Sequence, residues 1–234
     1  MAYWEITLSS LLFFALHVGI AGGPARQKIV DRLAEKGFQT IFSVASVLLL
    51  IWMITAYRSA PEIKLWFVPA FMWLPVLLMP IACILNVCAY SSPNPTAIGG
   101  GKVLKEQDPA KGIFRITRHP LMAAITIFSA SHMLVAGELS ALIFFGGLLL
   151  TAAFGPVSID KKLRGRNAES FERLAAVTSI IPFGAILQGR NKLALSEIGM
   201  MRLGGGVLLY VVFLFAHEYL SGIPLTQFTG AVPV

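Results

Sequence analysis

Four histidines are the residues of this 234-residue chain best suited to chemistry. His17 stands in Phe13-Phe14-Ala15-Leu16-His17-Val18-Gly19, His132 in Ser129-Ala130-Ser131-His132-Met133, and His217 in Phe215-Ala216-His217-Glu218, each within a long apolar run. His119 stands in Thr117-Arg118-His119-Pro120, where another apolar run opens. An ionisable side chain is costly to hold inside a membrane, so each is a functional candidate by default. A lone imidazole can also do no more than hydrogen-bond a neighbouring helix. Three of them on three spans can converge, and imidazoles on facing helices are how bundles hold haem or metal. The runs carry few acids and no paired cysteines, which suits haem better than a hydrolytic zinc site.

Other chemistries find little support. No Ser-His-Asp set or nucleophile elbow is visible. Cys83 and Cys88 form neither a CxxC pair nor a disulfide framework. Gly99-Gly100-Gly101 has no GK[ST] after it and reads as a flexible connector. Glu5, Glu62, Glu138 and Glu218 fall at one boundary of the apolar runs, Asp160 and Glu197 at the other. A proton channel needs such a group at depth.

The elements that must position these residues are membrane helices. Charged residues are 13% of the chain and apolar ones 56%, with a mean hydropathy of +0.74. A soluble domain carries about twice that share of charge, so a disordered chain, a fibrous one and an ordinary soluble enzyme are excluded. Six runs approach the length of a bilayer crossing. They are Trp4–Gly22, Phe38–Tyr57, Trp66–Tyr90, Pro120–Val135, Leu139–Ile159 and Leu203–Leu220. The expected fold is therefore all-α, one domain over residues 1–234, a bundle of six transmembrane helices. Pro69, Pro75 and Pro80 predict kinks in the third span.

Of the 19 Lys and Arg, all but Arg58 and Lys64 fall after the first, third and fifth runs or at the opening of the sixth. This bias puts the three basic loops in the cytoplasm and both termini outside. It also accounts for the net charge of +7 without any nucleic acid. Residues 160–195 read as an amphipathic cytoplasmic segment. Phe171, Leu174, Ala175 and Ile180–Phe183 would lie on the headgroups of the lipid bilayer while Arg164, Arg166 and Arg173 face phosphate. Arg118 opens one span where its neighbour ends at Asp160, so Arg118 and His119 should meet Asp160 at one depth in a charge-assisted bond.

The motifs Leu12–His17, Phe42–Ser46, Met79–Leu85, Ser92–Pro95, GIFRITRHP at Gly112–Pro120, His132, and TSIIPFGAILQGR at Thr178–Arg190 together resemble the NnrU family, over about residues 8–220. That family includes bacterial proteins named for denitrification gene clusters and is related to 15-cis-zeta-carotene isomerase, a membrane enzyme that binds haem b. The resemblance implies a protein of the bacterial inner membrane that binds haem b and serves redox or nitric-oxide-linked metabolism. Its alternative is a cis–trans isomerase acting on an apolar polyene rather than a small redox substrate. It implies His17 and His132 as ligands of the haem iron, with Ser129 where the isomerase has a cysteine. Arg118-His119-Pro120 is also similar to membrane methyltransferases of the isoprenylcysteine type, which hold S-adenosylmethionine with later acidic residues; here only Asp160, Glu169 and Glu172 stand in that region.

Depth arithmetic pulls another way. His17 lies roughly 8 Å from the cytoplasmic end of its run and His132 roughly 20 Å from His119, at 1.5 Å per residue. His217 is closer in depth to His132, which makes it the alternative ligand. The topology predicts that a C-terminal alkaline phosphatase fusion is active and a C-terminal fluorescent fusion dark. The reverse pattern would invert the assignment.

Overall fold

The computed structural model describes residues 3–97 and 99–222, so the chain's two ends lie outside the described residues. Among the described residues the chain is helical, and its only β-type pairing is the bridge between Lys64 and Glu138. Each of the six apolar runs overlaps a helix. The first is α1, Trp4–Phe14, continued by a π-helix over Ala15–Ile20. After a turn at Gly22-Gly23-Pro24 comes α2, Ala25–Ser59. A 3₁₀ turn, Pro69–Met72, leads into α3, Trp73–Ser91. Two four-residue helices follow, α4 (Gly101–Leu104) and α5 (Ile113–Ile116). Then come α6, Pro120–Ala136, and α7, Leu139–Arg166. The shorter α8 (Ala168–Val177) and α9 (Gly184–Leu187) precede α10, Met200–Ser221.

Four of these helices are long and apolar enough to cross a membrane: α2, the run from Pro69 through α3, α7 and α10. The helices holding His17 and His132 are apolar but shorter. The expected third span begins later than the sequence suggested, because Trp66 is held in an extended loop. The backbone N–H groups of Leu65 and Trp66 donate to the Gly137 carbonyl, and Trp66 Nε1 donates to the Leu134 carbonyl at 2.8 Å. Gly137 takes φ +62°, and a Cβ there would lie 2.1 Å from the Trp66 carbonyl oxygen, so the turn between α6 and α7 requires glycine. Of the three prolines expected to kink this span, Pro69 begins the 3₁₀ turn and Pro75 sits in the first turn of α3. Only Pro80 lies where a helical N–H bond is lost.

The large helices pack as an open row in the order α2, α1, α7, α6, α3, α10, with α2 also touching α7. Small residues let the backbones approach, as membrane packing requires. A Cβ on Gly147 would lie 3.0 Å from Ser10 Cβ, and one on Gly22 would meet Ser158. One buried cluster (Ile6, Phe13, Met53, Ala56, Phe144, Phe145) joins α1, α2 and α7, with Phe128 and Met133 of α6 packed on it. A second (Ala82, Leu85, Cys88, Phe114, Ala124, Ile198) ties α3 and α6 to α5.

Two sequence expectations are corrected. The expected connector at Gly99-Gly100-Gly101 is a folded turn. Asn94 Oδ1 accepts from the Thr96 N–H and hydroxyl, Gly100 N–H donates to Ala97, and α4 starts at Gly101. The apolar face of α8 does not lie on headgroups. Phe171 and Leu174 are fully buried against Leu104, Ala110 and Leu163, because α8 folds back onto the end of α7. Ile181 (72% exposed), Phe183 and Leu187 do remain on the surface.

α10 crosses α3 closely at Gly206, where an added Cβ would lie 2.5 Å from Ile84 Cα. Gly206→Leu is expected to cost about 1–3 kcal/mol and to lower the thermal midpoint in detergent. Gly204→Leu, whose Cβ enters open space, should leave it unchanged.

Candidate functional site

Where α6 begins and α7 nears its end, Arg118 and His119 converge on Asp160. Arg118 Nη2 donates to Asp160 Oδ2 at 2.6 Å and Nε donates to the same oxygen at 3.0 Å. His119 Nε2 lies 2.8 Å from Oδ1. His119 is 3% exposed and Asp160 7%. Pro120 occupies the first position of α6, where its missing N–H costs nothing, and this fixes His119 as the residue that enters the helix. Asp160 is not the end of α7, as the sequence suggested; the helix runs on to Arg166, and Asp160 projects from its side. The Arg118 guanidinium lies 5.9 Å from the Phe171 ring, so α8 closes the cluster from below.

The two longest family-matching motifs bind one another around this cluster. Arg118 N–H donates to the Ser179 carbonyl at 3.0 Å, Phe183 N–H to the Ile116 carbonyl at 2.8 Å, and Thr117 Oγ1 to the Ile180 carbonyl at 2.8 Å. Thr178 Oγ1 donates to the Leu174 carbonyl, closing α8. Arg190 Nη1 donates to the carbonyls of Ala175, Ala176 and Thr178, satisfying the C-terminus of that helix. A second latch joins Arg115 to Glu197 at 2.7 Å and to Asp108 at 2.8 Å, with Gly112 N–H also on Glu197. The Arg115 guanidinium and the Gly112 N–H hold the Glu197 carboxyl below the usual carboxylate range. Sequence reasoning noted these motifs but missed Arg115, Thr178 and Arg190 as their fasteners. Nothing in the spacing says which residue of one motif faces which of the other.

His17 and His132 share one local arrangement. His17 Nδ1 donates to the Phe13 carbonyl at 2.9 Å, and His132 Nδ1 to the Phe128 carbonyl at 2.8 Å. A carbonyl only accepts, so the proton is on Nδ1 and each Nε2 lone pair is left for a ligand. His17 lies in the π-helical stretch, a helix variant found often at functional sites. Aromatic rings wall both histidines: Phe13 (4.2 Å between centroids) and Phe42 (5.0 Å) at His17, Phe128 (4.5 Å) and Phe145 (5.5 Å) at His132. Ser129, one turn before His132, has a buried hydroxyl with no hydrogen-bond partner. The donor chemistry therefore fits haem iron: two neutral imidazoles in apolar surroundings with fixed tautomers.

The structure does not bring these two rings together. Ser10 abuts Gly147 and Gly22 abuts Ser158, which sets His17 level with about residue 153 of α7, whereas His132 stacks beside Phe145. The levels differ by about eight residues, roughly 12 Å. Because side chains lean toward the N-terminus of their helix, these two, on helices of opposite direction, lean toward each other. One iron held by both requires the remaining distance to close. His217 lies within electrostatic reach of His132, as the depth arithmetic suggested. Among the described residues no three His, Cys, Asp or Glu side chains gather in a metal-binding group.

Removing one member of the Asp160 cluster leaves a buried charge unpaired, which costs about 3–5 kcal/mol. Asp160→Ala and Arg118→Ala should therefore lower the yield of folded protein in detergent sharply, while Lys102→Ala, at an exposed site, should not. Arg118→Lys should fail to rescue, since an ammonium cannot reproduce the forked contact. Equal yields from all variants would contradict this role.

The family of proteins described as "NnrU protein" matches residues 5–225. The chloroplastic 15-cis-zeta-carotene isomerase of Zea mays is 30% identical over 190 residues, covering 80% of this chain and 51% of that protein. The same enzyme of Arabidopsis thaliana is 40% identical over 82 residues, 35% of this chain and 22% of that protein. The chain thus spans about half the length, or less, of the curated relatives it matches. No solved structure matches it. With its helices, its Arg118-His119-Pro120 corner and its Thr178–Arg190 strap matched almost from end to end, the chain belongs to the NnrU family.

Proposed function

We propose that this protein is a membrane cis–trans isomerase of an apolar polyene, using haem b held at His17 and His132. The observation that carries the reading is the pair of imidazoles with Nδ1 committed to a backbone carbonyl and Nε2 available, each set among phenylalanine rings. The similarity to two zeta-carotene isomerases supports the polyene as substrate class. Haem would supply a redox-active, Lewis-acidic iron. The protein's own part is to hold the imidazoles in one tautomer, to exclude water with Phe13, Phe128 and Phe145, and to offer apolar helix faces to a substrate that arrives through lipid.

The membrane arrangement belongs to the same proposal: six crossings, basic loops on the cytoplasmic face of a bacterial inner membrane, and both termini opposite. The Lys and Arg bias supports it. A second reading, haem-dependent redox or nitric-oxide metabolism, is favoured by Ser129, a residue that cannot replace a thiolate at iron. The methyltransferase reading is not favoured by the acids of this region, each of which already carries an ion pair. Asp160 is taken by Arg118 and His119, Glu169 by Arg173 and Glu172 by Arg164.

The test is expression in a strain that accumulates tri-cis zeta-carotene. The wild-type chain should convert it to the di-cis form, and His17→Ala and His132→Ala should each reduce conversion at least about tenfold, the scale of one lost metal-site contact. No conversion by a haem-loaded wild type would favour the redox reading. Unchanged conversion in His132→Ala would remove the haem site from α6.

A further inference from the structure

The cytoplasmic end of α1, α2 and α7 carries more positive charge than it neutralises. Arg26 Nη2 donates to both oxygens of Glu35, the longer contact being 2.6 Å, and Arg166 Nη2 reaches Glu35 at 3.3 Å. Gln39 donates to the same carboxylate at 3.0 Å. Lys162 stands among these groups, half-buried, and interacts electrostatically with Arg26, Arg166 and Glu35. Glu35 is thus the single carboxylate among three cations, and its oxygens are already taken by two guanidinium groups and an amide.

The backbone is strained to achieve this. Ala34 takes φ 58° and ψ 168°, a region that alanine rarely enters, and it breaks α2 into two helical pieces. The break turns Glu35 back onto Arg26, nine residues earlier. It also leaves Arg26 over the face of Phe38, at 5.0 Å from the ring centroid. Among the described residues Lys162 forms no ion pair of its own with a carboxylate, while Arg26 and Arg166 both engage Glu35.

Lys162 and His17 lie on elements that pack together, α7 and the π-helical stretch after α1. Gly22 abuts Ser158, so Lys162 sits one turn further along α7, and its side chain leans back toward the helix N-terminus, which is the direction of His17. The two residues lie within electrostatic reach of each other. In level they are about nine residues apart, roughly 13 Å, with Lys162 leaning toward His17 and His17 leaning away, toward the N-terminus of its own helix. Part of that gap is covered by the lysine side chain itself, and an iron porphyrin held at His17 would span the remainder.

We infer that Lys162, with Arg166 beside it, binds the propionate carboxylates of the haem whose iron His17 ligates. This rests on the haem reading above and extends it to the orientation of the macrocycle. Held there, the carboxylates would meet the charged boundary, where ionised groups cost least, and Phe13 and Phe42 would line the apolar side. The surplus charge then has its counter-ion, and no unpaired ammonium is left half-buried.

The experiment titrates the purified full chain, stripped of any bound haem, with iron protoporphyrin IX and with its dimethyl ester, which lacks both negative charges. Binding is followed by the Soret band. The wild type should bind the free acid at least about tenfold more tightly than the ester, the scale of one charge-assisted bond. Lys162→Met should lose most of that preference, and Arg166→Gln should narrow it. Lys161→Met, at the exposed neighbouring position, should keep the wild-type preference. A far-ultraviolet spectrum unchanged from wild type shows that each variant is folded, and Arg166→Gln serves if Lys162→Met is not. A wild type that binds both forms equally, or a Lys162→Met that keeps the preference, overturns the assignment while leaving haem binding intact. A wild type that shows no ligated-iron Soret band with either form defeats the haem reading itself.

Discussion

The buried carboxylate of Asp160 is the constraint on which this end of the helix bundle depends. A charge removed from water near the end of a membrane helix must be matched, and here two side chains from one corner, Arg118 and His119, match it. Because both precede Pro120, the match fixes where α6 begins and at what height it stands beside α7. The same corner offers its backbone to the Thr178–Phe183 strap, and the strap is capped by Arg190. One ion pair thereby sets the register of two membrane helices and the path of the loop beneath them.

That register decides where the histidines stand. His132 is carried by α6 to the level of Phe145, while His17 is held lower, in the π-helical stretch of α1, with Lys162 of α7 beneath it. The helices present broad apolar faces to their surroundings, among them Leu48 of α2, Leu77 of α3 and Leu208 of α10. A hydrophobic substrate dissolved in lipid would approach such faces from the side, needing no aqueous channel. The latch of Arg115 on Glu197 ties α5 to the segment before α10.

Much of this was legible in the sequence. Hydropathy located all six apolar helices, and the Arg118–Asp160 contact followed from two residues expected at one depth. Helix ends were less legible. Trp66 reads as part of a span by hydrophobicity, but its indole N–H found the Leu134 carbonyl and kept it in a loop. Phe171 and Leu174 read as a lipid-facing stripe because an amphipathic pattern does not say which apolar surface it meets; the end of α7 was nearer than the bilayer. The break at Ala34 was invisible, since alanine favours helix and the strain is held by a tertiary ion pair. The surplus charge around Lys162 was equally hidden, because basic residues at a membrane boundary look like topology signals until their partners are counted.

The central claim is that the two Nδ1-anchored imidazoles serve a haem iron. The most direct measurement is the absorption spectrum of the purified membrane protein, oxidised and then reduced with dithionite, after expression with haem precursors supplied. The account predicts a Soret band that shifts on reduction and sharp visible bands of a nitrogen-ligated b-type haem, in about one copy per chain. A colourless protein, or one whose only haem is released by a second round of purification, would contradict it.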